Sequence, residues 1–189
     1  MAMRVNMKTG HVEGAHYLPS PNYDNRPAGA QIDTLVIHAI SLPPGEYPGP
    51  DIEQFFCNSL DANCHPFYRE ISGLTVSSHL LIRRNGEVVQ FVPLQARAWH
   101  AGVSEFQGCA RVNDFSIGIE LEGSDHAPFE EAQYLALTAV TRVLRDAYPG
   151  ITPERIVGHA DIAPGRKTDP GSYFNWARYR RAIREDSAI

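Results

Sequence analysis

Residues 158–171 read GHADIAPGRKTDPG, a stretch with two Pro-Gly pairs that holds one histidine, two aspartates, an arginine and a lysine. Imidazole and carboxylate are the ligand types of a hydrolytic zinc centre, which raises the question of what could join them. Among the eight histidines, His38 and His159 stand apart. Each closes a short apolar run, DTLVIHAI (33–40) and RIVGH (155–159), and each meets a loop rich in glycine or proline. Strand ends are rigid, and the loops beside them are where sites are built. The turns at Pro164-Gly165 and Pro170-Gly171 allow Asp169 to return to His159. Two imidazoles and a carboxylate with an open fourth position make a catalytic zinc site, one ion per chain. Asp161 is the competing carboxylate, but two residues from His159 it would strain a shared metal. There is no HExxH segment, which excludes a zincin-type protease site.

Two further groups fit hydrolysis. Lys167 precedes Asp169 by two residues, so in an extended segment both side chains point the same way. There it can stabilise a developing oxyanion, the ordinary alternative being a solvated surface lysine. Glu120 lies between Ile119 and Leu121 in FSIGIELEG (115–123). A carboxylate inside a strand is costly to bury unless paired or near a metal, and beside a zinc-activated water it can act as general base. Glu122 shares its face but abuts Gly123, where water is expected to reach it. Glu120 is the preferred base, against the alternative of a strand whose polar face is simply wet. The remaining histidines read as structural or surface groups: His79 as a core residue satisfied by a hydrogen bond, His11, His16 and His126 as exposed. Cys57, Cys64 and His65 have a spacing that fits no common zinc knuckle, so free thiols are expected there.

The elements that must position these groups are partly legible. DTLVIHAI reads as a buried strand. DIEQFFCNSL (51–60) places Ile52, Phe55, Phe56 and Leu60 on one helical face. HLLIR (79–83) and EVVQFVP (87–93) flank Asn85-Gly86, whose positive φ angles predict a tight hairpin. ARAWHAGVS (96–104) reads as loop, and FSIGIELEG alternates as a strand with Ile117, Ile119 and Leu121 on one face. EEAQYLALTAVTRVLRDAY (130–148) is a long amphipathic helix, and NWARYRRAIRE (175–185) is a closing one. This mixture predicts a single α/β domain, with a central mixed sheet flanked by helices. Residues 1–31 read as an irregular lead-in, with the domain proper over 32–185.

A length of 189 residues suits one domain, and a net charge of −5 offers no broad basic face for nucleic acid. No run reaches transmembrane length, so no membrane partner is expected. Three cysteines, an odd count, argue against a disulfide framework. The first residues lack the apolar core of a signal peptide, and a reducing cytoplasm is the expected compartment.

Five blocks in order, VIHAISLPPGEYPGP, VSSHLLIRRNGEVVQFVP, RAWHAGVS, NDFSIGIELEG and GHADIAPGRKTDPG, resemble the zinc-dependent N-acetylmuramoyl-L-alanine amidases. Within that family they are most similar to the cytoplasmic branch that acts on 1,6-anhydro-muropeptides in cell-wall recycling; the wider superfamily includes the peptidoglycan recognition proteins. The resemblance implies that fold, an anhydro-muropeptide substrate and one Zn2+; the sequence names no oligomeric partner, and a monomer is expected. It implies His38, His159 and Asp169 as metal ligands, Glu120 as acid/base and Lys167 as oxyanion donor. It also puts Trp99 and His100 on the substrate side of the cleft, and Arg111 and Arg166 at the stem-peptide carboxylates, for which the planar arginine fork is suited. Ala39 stands where the family often has asparagine, and Ala160 where it often has cysteine. A peptidoglycan-binding module without catalysis would lack a complete ligand set, and an exported amidase acting on intact wall would be expected to carry a signal sequence.

Overall fold

The computed structural model describes residues 3–184. Four short strands precede residue 26: β1 (Arg4–Asn6), β2 (His11–Glu13), β3 (His16–Tyr17) and β4 (Tyr23–Asn25). The lead-in is therefore not irregular. Strands of two or three residues are too short to display a period, so pattern alone does not find them. Next come β5 (Thr34–Ile40), α1 (Asp51–Phe56), α2 (Pro66–Ile71), β6 (Leu80–Ile82), β7 (Val88–Gln90) and β8 (Ala96–Ala98). The chain continues through β9 (Glu105–Phe106), β10 (Cys109–Ala110), β11 (Ser116–Glu122), α3 (Glu131–Ala147), β12 (Ile156–Gly158), α4 (His159–Ile162) and α5 (Trp176–Ala182). The read helix at 175–185 is thus shorter, and its last residue lies outside the described ones. His159 opens a helical turn instead of closing a strand, and α2 and β8–β10 were not anticipated.

The central sheet has the order β12-β5-β11-β6-β7-β3. Strands β12, β5, β11 and β6 run parallel, whereas β6 and β7 form the antiparallel hairpin. The sheet is mixed, as expected. At the hairpin turn only Gly86 has a positive φ, 87°, and Asn85 does not. A Cβ on Gly86 would stand 2.9 Å from the Ala132 carbonyl oxygen, so the turn also needs glycine for space.

Both faces of the sheet are covered. Leu35, Ile37, Ile117, Ile119 and Leu121 share one core with Leu137, Val140 and Leu144 of α3 and Tyr179 of α5. On the other face, Leu81, Val89 and Phe91 pack with Phe55, Phe56 and Tyr68 at one end. At the other end Val36 and Val157 pack with Ala101, Val112 and Ile162. All seven residues of β11 are buried, including the polar alternation Ser116, Gly118, Glu120 and Glu122. That face is not simply wet: side chains of flanking segments reach Ser116, Gly118 and Glu122, and Glu120 borders a cleft.

Candidate active site

Adjacent strands bring the three ligand-type residues together. β5 carries His38 near its carboxyl end, and its neighbour β12 leads directly into His159. The loop after α4 doubles back, and the Ala160 amide donates to the Asp169 carbonyl at 3.0 Å. His38 Nδ1 lies 3.0 Å from His159 Nδ1 and 3.1 Å from Asp169 Oδ2, and His159 Nδ1 lies 3.2 Å from the same oxygen. Among the described residues this is the one group of three or more such side chains whose ligand atoms converge. Asp161, the competing carboxylate, instead accepts the Gly158 amide at 2.7 Å and caps α4.

The donor set fits a zinc ion. Bonds of about 2.0–2.2 Å at tetrahedral angles separate ligand atoms by about 3.3–3.5 Å, close to the observed spacings. His159 Nε2 faces the Ala101 carbonyl oxygen at 3.1 Å. A carbonyl can only accept, so Nε2 carries the proton and the Nδ1 lone pair points at the shared centre. Burial lowers the pKa of His38 to about 4, which keeps its imidazole neutral at physiological pH. Burial opposes ionisation of Asp169, but the imidazoles of His159 and His38 outweigh it and hold the carboxyl well below its usual range. A neutral His38 and an ionised Asp169 are in the protonation states a cation requires.

Glu120 is the register partner of His38 on β11. Its Oε2 is buried without a hydrogen-bond partner. Burial, and then the Asp169 carboxylate, raise its proton affinity well above the ordinary value, while Lys167 acts in the opposite sense. His38, His159, Asp169, Glu120, Lys167 and Trp99 all border one cleft of about 290 Å³. Ala39 also lines this cleft. Glu122, by contrast, is 1% exposed and committed to structure. It accepts from Arg83 Nη1 at 2.8 Å and from the Arg84 amide at 2.9 Å. The expectation that water reaches it is not met, because Arg83 closes over the strand end.

The profile of the family described as N-acetylmuramoyl-L-alanine amidase matches residues 28–172. The chain belongs to this amidase family. It is 54% identical over 181 residues to the 1,6-anhydro-N-acetylmuramyl-L-alanine amidase AmpD of Escherichia coli (strain K12), covering 96% of this chain and 98% of that one. A crystal structure of an Se-Met AmpD derivative is similar with a TM-score of 0.92 at 51% identity, covering 96% of this chain and 99% of that one. The E. coli amidase AmiD, solved with the substrate anhydro-N-acetylmuramic acid-L-Ala-D-gamma-Glu-L-Lys, is similar with a TM-score of 0.59 at 35% identity, covering 84% of this chain and 60% of that one.

The residues expected on the amidase's substrate side fall in different places. Trp99 borders the cleft and is held from behind, its indole N–H donating to Asp24 Oδ1 at 3.2 Å. Asp24 is in turn gripped by Arg97, which donates from Nε at 2.7 Å and from Nη2 at 2.5 Å. His100 also borders the cleft, but its ring nitrogens face His38 Nε2 at 2.9 Å and Ser116 Oγ at 3.2 Å, leaving none for a substrate. Arg166 does not reach outward for a peptide carboxylate; its Nη2 donates to the Ala101 and Val103 carbonyls, both at 2.6 Å. Arg111 is exposed, pairs with Asp114 at 3.0 Å and is not among the cleft residues. Asp24 gave no signal in the unpatterned lead-in. Gly118 carries a signal that the sequence reading passed over, a glycine in the middle of a buried strand. Among the described residues no helix is long and apolar enough to cross a membrane.

Proposed function

We propose that this amidase hydrolyses the amide between the lactyl group of 1,6-anhydro-N-acetylmuramic acid and the L-alanine of a stem peptide, in cytoplasmic peptidoglycan recycling. One zinc ion per chain is held by His38, His159 and Asp169. The observation that carries the reading is the unpartnered, buried Oε2 of Glu120 in the same cleft as three converged ligand atoms. The substrate reading is supported by the activity of the E. coli relative AmpD, 98% of which is matched, and by the ligand of the AmiD complex.

Bound zinc would supply Lewis-acid chemistry, making a nucleophile from water at neutral pH and polarising the scissile carbonyl. Glu120 takes the proton of the attacking water on Oε2 and returns it to the departing amine nitrogen. Its partnership with His38 across β5 and β11 fixes that oxygen beside the ligand group. Lys167 donates to the carbonyl oxygen as negative charge develops there. Trp99, braced by Asp24, forms a rigid wall against which the substrate is oriented.

Zinc content of the purified chain, with hydrolysis of a soluble anhydro-muropeptide before and after chelation, tests the reading. A metal-dependent cleavage of that substrate, much faster than release from intact sacculi, is expected. Equal rates on the two would remove the recycling role, and cleavage untouched by chelation would remove the metal.

A further inference from the structure

We infer that the dipeptide His100-Ala101 orients both zinc-binding histidines, His38 through the His100 ring and His159 through the Ala101 carbonyl, and that Gly118 exists to make room for that ring. The inference rests on the zinc reading above and concerns residues behind the ligands.

When His38 Nδ1 faces a metal, its Nε2 carries a proton that needs an acceptor. His100 Nδ1 stands 2.9 Å away. The His100 ring then donates from Nε2 to Ser116 Oγ at 3.2 Å, so the chain of hydrogen bonds ends on a hydroxyl that can accept. One residue on, Ala101 O accepts from His159 Nε2 at 3.1 Å. Partners of this kind fix ring orientation and tautomer in metal-ligating histidines. The dipeptide is itself pinned. The amides of His100 and Ala101 both donate to Asn113 Oδ1, at 3.2 and 2.8 Å.

Gly118 lies on the side of β11 that also carries Ser116 and Glu120. A Cβ there would sit 2.5 Å from His100 Cγ and 2.7 Å from His100 Nδ1. Any side chain would push the ring off its place beneath His38. Glycine in a strand interior costs stability and marks a close approach, and here the approaching group is the His100 imidazole. His100 is therefore a positioning residue, not a substrate contact.

The test is a zinc competition titration against a chromophoric chelator, with zinc as the probe, on the full chain and on His100→Asn, His100→Gln, Gly118→Ala and Asn113→Ala. Asparagine offers an oxygen where Nδ1 stands, whereas glutamine carries its terminal group to the Nε2 position, away from His38. His100→Asn is expected to stay within about threefold of the wild type, while the other three lose ~10–100-fold in zinc affinity. KM at saturating zinc is expected to be unchanged. Thermal unfolding of the zinc-free proteins removes any variant that does not fold, and the remaining comparisons carry the test. Equal zinc affinity in the Asn and Gln variants, or a raised KM with zinc affinity intact, overturns the inference. A wild-type chain that binds no zinc overturns the metal reading itself, before any variant is compared.

Discussion

His38 and Glu120 are direct partners across the parallel pair β5–β11, so one pair of strands fixes both a metal-type ligand and the carboxylate beside it. Glu120→Gln keeps the shape and removes the proton acceptor. Activity is expected to fall by ~10²–10⁴-fold with zinc content unchanged. Glu122→Gln is expected to do the reverse. It weakens the buried contacts to Arg83 and Arg84, costing about 1–3 kcal/mol of stability with little loss of turnover. Steady-state kinetics beside urea denaturation of both variants checks the pair, and exchanged effects would reassign the base.

Lys167 and Arg166 are neighbours with different tasks. Lys167→Ala is expected to lower kcat by ~10²–10³-fold with KM and zinc content near normal, because its contact strengthens only as charge develops. Arg166 straps the Ala101 and Val103 carbonyls. Its alanine variant is therefore expected to lose zinc affinity and thermal stability before it changes KM. A pure KM effect in Lys167→Ala would make that residue a binding group.

Acid sensitivity should come in part from His79. Burial, with the Arg26 charge beside it, lowers its pKa from 6.5 to about 3. Between those values the unfolded chain binds a proton that the folded chain does not. This contribution to stability is complete above pH 6.5 and is lost as pH falls towards 3. One such group removes about 2 kcal/mol between pH 7.5 and 5. His79 Nδ1 accepts the Gly118 amide at 3.0 Å, a bond that the oxygen of His79→Asn can keep. Urea midpoints across that range should fall less steeply in the variant than in the wild type. Parallel slopes would remove His79 from the account.

Zinc should stabilise the fold it binds. At free zinc a thousandfold above its dissociation constant, linkage adds ~4 kcal/mol, which His159→Ala should abolish. Calorimetry with and without zinc measures it. An equal zinc-dependent rise in melting temperature in that variant would show that the ligand group is elsewhere.

What could be read from the sequence follows from the length over which each signal extends. Thr34–Ile40 and Ser116–Glu122 are long enough for their apolar pattern to show, and His38 and Glu120 stood out as polar groups within such runs. The return of Asp169 to His159 could be read from paired Pro-Gly turns. Alternation puts Glu120 and Glu122 on one face, so the preference for Glu120 rested on the strand end at Gly123 and was settled by the family resemblance. It was Arg83, 39 residues from Glu122 in sequence, that distinguished them. The resemblance set Arg166 and His100 on the substrate side, and charge and position in a loop do not reveal side-chain direction. Their partners, the carbonyls of 101 and 103 and the ring of His38, lie at least 62 residues away along the chain. Trp99 was legible as a cleft residue, but not its brace Asp24, 75 residues earlier in a three-residue strand.

The central claim is tested most directly by incubating the zinc-loaded chain with a soluble anhydro-muropeptide and weighing the products by mass spectrometry. The account predicts two products, free 1,6-anhydro-N-acetylmuramic acid and a stem peptide with an L-alanine amino terminus, both absent after chelation and restored by zinc. An intact substrate, a cut elsewhere in the peptide, or the same products in the presence of chelator would contradict it.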